Sequence, residues 1–236
     1  MPRNQPLPVN PVSAAETVTI PPTIPRLESG DLLTRAQFEQ RYDAMPLLKK
    51  AELIGGIVYV GSPVRQKKHA RPHAIAMTWL GNYFAATPKL DIGDNATVRL
   101  DEENEVQPDA FLRFEVGGNS RVSVDDYVEG APELVIEIAS SSASYDLHFK
   151  KNLYQRFGVR EYAVWCPEER LFYWFRLNER GRYTAVKPDS KGVIRSRVFP
   201  GLWLDVEALL AGDAGRVVNM ARLGLASPEH AAFLND

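Results

Sequence analysis

Cysteine is nearly missing from this chain: among 236 residues only one, Cys166, carries a thiol. A lone cysteine excludes an internal disulfide. Its place in the strand-like run Tyr162-Ala163-Val164-Trp165-Cys166 marks a buried structural thiol and fits a reducing, cytoplasmic setting. Long apolar runs are missing too. No stretch reaches roughly 18 apolar residues, and the N-terminus has no apolar signal-peptide core, so nothing predicts membrane insertion or export. A surplus of one charge sign is also absent: 28 Lys and Arg stand against 30 Asp and Glu, a formal net charge of -2. Nucleic acid would therefore have to be held by a local basic surface, because the whole-molecule field does not attract it. The glycine-rich aromatic strand motif of an RNA-recognition module is missing as well. Tyr162, Trp165 and the run Phe172-Tyr173-Trp174-Phe175 accordingly read as core, or as a dimer surface on a late strand.

What is present describes a soluble α/β protein. A hydrophobic content of 44% with 25% charged residues is ordinary for a globular chain, and the length suits one core domain of about 150–200 residues with extensions. Residues 1–30 carry seven prolines and few aromatics, and they read as a flexible arm. Residues 31–200 form the domain and 201–236 a C-terminal helical extension. Thr34 caps a short helix from Arg35 to about Tyr42. Residues 51–54 and 57–60 read as a hairpin around Gly55-Gly56, and Pro72 opens a helix that ends before Pro88. Strands are expected at 90–92, 96–100, 106–114 and 132–139, then a helix from Asp146 to Gly158, then strands at 161–166, 171–177 and 183–186. Residues 202–210 and 214–223 read as helical pieces.

The informative residues are acids in apolar company. Asp109 follows Pro108, and Glu137 lies in the run Glu133-Leu134-Val135-Ile136-Glu137-Ile138-Ala139. A carboxylate in a buried-looking strand calls for a cation or a base. Strand alternation sets Glu133, Val135, Glu137 and Ala139 on one face and Leu134, Ile136 and Ile138 on the other. Lys150 follows on a helix, one turn after Asp146 and one before Tyr154. Two acids and a lysine in this order suit phosphodiester hydrolysis: Mg²⁺ or Mn²⁺ takes oxygen ligands and lowers the pKa of bound water, and Lys150 orients or deprotonates the attacking water and offsets transition-state charge. Plainer readings stand beside these. Asp109 could be a turn acid after proline, Glu137 could lie on the solvated face of an edge strand, and Glu52 could be a surface acid. Lys150 could simply pair with Asp146 on an exposed helix face, an interaction of about 0.2–0.5 kcal/mol. His69 and His73 have the i, i+4 spacing of a helical metal pair but lack the glutamate of a zinc protease, so His69 is better placed near the cleft, against a phosphate or an acid. Arg65, Lys67, Lys68 and Arg71 could meet a nucleic-acid backbone or simply face water.

These residues carry a resemblance. Glu52-Leu53-Ile54-Gly55-Gly56 with His69 downstream, Pro108-Asp109, Glu133 to Ser140, Asp146 to Tyr154, and Gly158-Val159-Arg160-Glu161-Tyr162-Ala163-Val164-Trp165 together resemble the Uma-type "putative restriction endonuclease" family, a branch of the PD-(D/E)xK nucleases. The resemblance spans roughly residues 30–190. It implies a restriction-endonuclease-like central mixed β-sheet flanked by helices, with Asp109 and Glu137 on adjacent strands as ligands of Mg²⁺ or Mn²⁺. Glu52 becomes an auxiliary acid, DNA the substrate, and a homodimer the expected assembly. The chain departs from the superfamily pattern at Ala139, where lysine would stand two residues after Glu137. The lysine is then supplied by the next helix as Lys150, with Lys151 the near alternative. A reading from another class is a nuclease-like fold serving as an inert binding or regulatory module, and a third is hydrolysis of some other phosphoester.

Overall fold

The computed structural model describes residues 24–139 and 143–235. Helix α1 (Arg35–Asp43) starts with a capping box, in which the Gln37 backbone N–H donates to the Thr34 hydroxyl and the Thr34 N–H donates to the Gln37 side chain. Strands β1 (Ala51–Ile54) and β2 (Ile57–Val60) form the hairpin, with Gly55 and Gly56 at φ of 59° and 76°, the left-handed backbone its two-residue turn needs. A π-helical turn, Gln66–Ala70, runs into α2 (Arg71–Ala86), with Pro72 in its first turn. There follow β3 (Leu90–Asp94), β4 (Val98–Asp101), β5 (Asn104–Val106), β6 (Ala110–Phe114), β7 (Ser120–Val122), β8 (Val128–Gly130) and β9 (Leu134–Ile138). The short α3 (Ala143–Tyr145), a second π-helical turn at Asp146–Lys150 and α4 (Lys151–Phe157) come next, and Gly158 at φ 81° ends α4. Strands β10 (Glu161–Cys166), β11 (Leu171–Leu177), β12 (Tyr183–Ala185), β13 (Val193–Arg195) and β14 (Trp203–Asp205) precede α5 (Val206–Ala211), α6 (Ala214–Leu225) and α7 (Pro228–Phe233).

The strands form two mixed six-stranded sheets flanked by helices, plus the β13-β14 pair. The first sheet has the order β2-β1-β5-β4-β8-β7 and the second β12-β11-β10-β9-β6-β3. Each contains one parallel pair, β4 with β8 and β9 with β10. The strand expected over 106–114 is broken in two, and its halves belong to different sheets. Pro108 has no N–H for a ladder, so Gln107-Pro108-Asp109 becomes the link by which the chain leaves β5 and enters β6.

Three apolar layers follow from this arrangement. Ile75, Trp79, Leu80 and Tyr83 of α2 pack on Leu134, Ile136 and Ile138, one face of β9. Leu204, Leu209, Val217 and Ala221 join the same layer, so the 201–236 segment shares the main core. The other face of β9, Val135 and Ala139, packs with Leu153 and Tyr154 of α4 and with Val98, Val106 and Val128 of the first sheet. The alternation read for residues 133–139 is the observed one. A third layer joins α1 through Phe38 to Leu53 and Val58, and it includes Leu27. Of the segment read as a flexible arm, residues 1–23 lie outside the described residues, while Gly30 donates to the Val58 carbonyl at 2.9 Å.

One further expectation is corrected. Residues 203–205 form a strand paired with β13, and helix begins only at Val206, where the Asp205 carboxylate accepts from the Ala208 N–H. The aromatic run on β11 serves the core: β11 lies between β10 and β12, Trp174 and Phe175 are buried, and Phe172 and Tyr173 are partly buried against opposite core layers. Cys166 is buried. Among the described residues no helix is long and apolar enough to cross a membrane.

Candidate active site

Four separate stretches of chain converge where the two sheets meet. Glu52 lies on β1 of the first sheet, Glu137 on β9 of the second, Asp109 on the link between the sheets, and Lys150 at the end of the second π-helical turn. All four of these side chains are buried. Asp109 stands one residue before β6 rather than within it, and the pairing of Ala110 with Ile136 brings it beside Glu137. Because β9 runs between β6 and β10, Glu137 is on an interior strand and the solvated-edge reading is excluded. Its neighbour Glu133 is buried for a different reason: its two oxygens accept from the backbone N–H groups of Phe114 and Asn119 at 3.0 and 2.7 Å.

The Lys150 ammonium donates to Glu52 Oε1 and Glu137 Oε1, both at 2.9 Å, with Asp146 Oδ1 at 4.0 Å. The reading of Lys150 and Asp146 as an exposed helix pair is corrected, since both are buried against the second core layer. Glu137 Oε1 also accepts from the Tyr154 hydroxyl at 3.0 Å, and Glu52 Oε1 from the Gln107 N–H at 2.8 Å. Asp109 Oδ2 accepts from the Ile138 N–H at 2.7 Å and from His69 Nε2 at 3.1 Å. Its other oxygen, Oδ1, accepts from Lys50 Nζ at 2.9 Å. His73 Nε2 donates to the Asp109 carbonyl at 2.8 Å, so both histidines support Asp109 and do not form a pair of metal ligands.

Four carboxylates, Glu52, Asp109, Glu137 and Asp146, face two ammonium groups, Lys50 and Lys150, an excess of two negative charges when all are ionised. Burial pushes Glu137 up to about 8, with Asp109 and Asp146 adding to the rise and Lys150 and Lys50 opposing it. Burial alone would lower Lys150, but Glu137, Glu52 and Asp146 together hold it well above the ordinary lysine range. These two shifts pull the one ion pair in opposite directions. The ammonium is the firmer charge, because Glu52 and Asp146 still face it when Glu137 carries a proton. Burial likewise works against an ionised Asp109, but the His69 hydrogen bond and the Lys50 charge outweigh it and hold that carboxyl well below the usual range.

The chemistry of the donor set fits a hard divalent cation. Asp109 and Glu137 supply oxygens, the excess charge is negative, and among the described residues Glu137 Oε2 and Glu52 Oε2 accept no hydrogen bond. No group of three or more His, Cys, Asp or Glu side chains among the described residues is arranged as a metal cage. An ion held by one or two carboxylates and otherwise by water, the habit of Mg²⁺, needs no such cage. The acids open onto a cleft of about 820 Å³ whose rim includes Arg65, Lys68 and His69.

Sequence reasoning assigned no role to Lys50 or Tyr154. Lys50 had a signal: it precedes Glu52 by two residues, the spacing that puts two side chains on one face of a strand. Lys151, the alternative to Lys150, lies with its Nζ 4.1 Å over the Phe175 ring, away from the acids. Lys68 is paired with Glu168, and Arg71 donates to the Gly212 carbonyl.

The Uma2 family model, described as "Putative restriction endonuclease", matches residues 35–207. No curated protein matches the chain. Among solved structures, one described as a putative nuclease belonging to DUF820 from Anabaena variabilis ATCC 29413 has a TM-score of 0.60 at 13% identity, covering 76% of this chain and 98% of that one. At that identity the likeness concerns the fold alone.

Proposed function

Because this chain belongs to the Uma2 family of putative restriction endonucleases, we propose that it is a Mg²⁺- or Mn²⁺-dependent endonuclease that hydrolyses phosphodiester bonds in DNA. The observation that carries this reading is the convergence of Asp109, Glu137, Glu52 and Lys150 on one cleft from both sheets. Asp109 and Glu137 would hold the cation, which supplies charge stabilisation at the phosphoryl oxygens and activates water.

The remaining residues supply orientation and charge. The Ile138 N–H and His69 fix Asp109 Oδ2, and the Tyr154 hydroxyl fixes Glu137 Oε1. Lys150 acts through its two acids: it keeps Glu52 and Glu137 side by side and cancels repulsion between them. In the reaction the water oxygen bonds to phosphorus while one ester P–O bond breaks, and the departing oxygen keeps that electron pair. The water proton passes to Glu52 Oε2, which no donor engages among the described residues, and from there to solvent, while the departing oxygen is protonated from solvent. Cutting both strands of a duplex requires two sites, so double-strand scission would accompany a homodimer and nicking a monomer.

The test is cleavage of supercoiled plasmid and of single-stranded DNA with Mg²⁺ or Mn²⁺, run beside folded Asp109→Asn and Glu137→Gln proteins. Cutting lost in both variants is the expected result. Equal cutting by all three removes these residues as the site. No cutting by the wild type favours the inert binding module, and cutting of small phosphodiesters alone favours a different phosphoesterase.

A further inference from the structure

The site holds two lysines in different situations. Lys150 is 3% exposed at its side chain and directs two hydrogen bonds into Glu52 and Glu137, with Asp146 beyond. It touches the same cleft, but these acids cover nearly all of its side chain. Lys50 lines the cleft with 29% of its side chain exposed. Its only hydrogen bond among the described residues goes to Asp109 Oδ1, at 2.9 Å, which leaves two of the three N–H bonds of its ammonium without a protein acceptor. Its backbone is held as an extension of the hairpin, since the Gly61 N–H donates to the Lys50 carbonyl at 2.9 Å. A strand's alternation therefore fixes Lys50 on the same side as Glu52.

A reacting phosphodiester brings negative charge to this cleft, and that charge spreads over the non-bridging oxygens as water attacks. A cation already placed among the acids, anchored by one bond and partly exposed to the cleft, can donate to those oxygens without rearrangement of the fold. We infer that Lys50 is a catalytic residue of the proposed nuclease: its ammonium contacts the non-bridging oxygens of the phosphodiester being cut, while Lys150 is a positioning residue for Glu52 and Glu137. Lys50 keeps its proton throughout, so the balance of water attack and ester-bond cleavage is unchanged. The inference rests on the nuclease reading and adds to it the group that meets the substrate.

The test compares wild type, Lys50→Met and Lys50→Arg in three measurements: plasmid cutting, Mn²⁺ binding by electron paramagnetic resonance, and thermal melting. The expected result is cutting at least about 100-fold slower in Lys50→Met, the scale for loss of one transition-state donor. Partial recovery is expected in Lys50→Arg, with Mn²⁺ bound as tightly as by wild type or more tightly in both, since a competing cation has left or changed on Asp109. Cutting by Lys50→Met within about threefold of wild type overturns the inference and leaves the nuclease reading intact. So does a fall in Mn²⁺ affinity that matches the fall in cutting, because Lys50 would then only position Asp109. A wild type that binds Mn²⁺ and cuts nothing overturns the nuclease reading and this inference together. If Lys50→Met fails to melt cooperatively, Lys50→Arg decides: cutting reduced at unchanged Mn²⁺ affinity supports contact with substrate, and unchanged cutting with weakened Mn²⁺ binding refutes it.

Discussion

Glu52 and Glu137 stand on different β-sheets, yet their Oε1 atoms accept from the same Lys150 ammonium, each at 2.9 Å. One buried cation thus ties the two sheets together at the point where the cleft begins. The arrangement explains why two acids can remain close in an apolar setting, and it links the stability of the domain to its chemistry.

Removing that cation leaves two buried acids uncompensated. Lys150→Met is expected to destabilise the protein by about 3–5 kcal/mol, read as a lower midpoint in urea unfolding. Adding Glu52→Gln and Glu137→Gln to Lys150→Met should restore part of the loss, because the charges that needed the lysine are then gone. An unchanged midpoint in Lys150→Met would show the pair to be dispensable.

Asp109→Asn retains shape and removes charge. The amide oxygen is a weaker ligand for a hard cation, and its NH₂ would face donors that now point at a carboxylate. Mn²⁺ affinity should fall by about tenfold or more, equivalent to about 1.4 kcal/mol. Equal Mn²⁺ titrations for the two proteins would exclude Asp109 as a ligand.

A pH effect is expected away from the cleft. Burial pushes Glu105 up to about 8, and a hydrogen bond and charge from Glu39 add to the rise while Arg99 and Arg35 oppose it. A folded-state value above the unfolded one means that the native protein holds an extra proton between about pH 4.5 and 8. Stability from this group is therefore full below the unfolded value and declines as pH rises toward the folded one. Glu105→Gln should stabilise the protein relative to wild type at about pH 9 by on the order of 1–2 kcal/mol, read as a higher melting temperature, with a smaller or no gain at about pH 5. A gain that does not depend on pH would rule out the Glu105 proton as its origin.

The packing of β3 on β6 gives a steric prediction. Gly93 pairs with Phe111, and a Cβ at Gly93 would overlap the buried Phe111 ring. Gly93→Ala should cost about 1–3 kcal/mol through overpacking. Combining it with Phe111→Leu should cost less than the sum of the two single changes, as a double-mutant cycle in urea would reveal. Additive losses would place the strain elsewhere.

Much of the candidate site's arrangement was legible because acids in apolar runs are conspicuous. Glu137 interrupts a strand whose other members fill both core layers, and its parity with Val135 and Ala139 already fixed the face it takes. Lys50 was harder to read, because a lysine beside a hairpin is ordinary: its two-residue spacing from Glu52 gives its face, but its contact with Asp109 exists only in space. The division of residues 106–114 between two sheets was hidden by apolar spacing that continues on both sides of Pro108. Trp203–Asp205 was too short a strand to display a period, so the neighbouring helical composition governed its reading. The burial of Asp146 depends on the packing of α4, which no local pattern encodes.

The shared ammonium also has a kinetic side. Glu52 and Lys150 are separated by 98 residues, so their bond forms only after a long loop has closed. Until then each sheet can gather its own apolar neighbours, but the lysine and its acids are better served by water. Drying of the charged seam therefore requires that the two sheets be joined, and a chain whose sheets stand apart would leave the lysine and both acids wet.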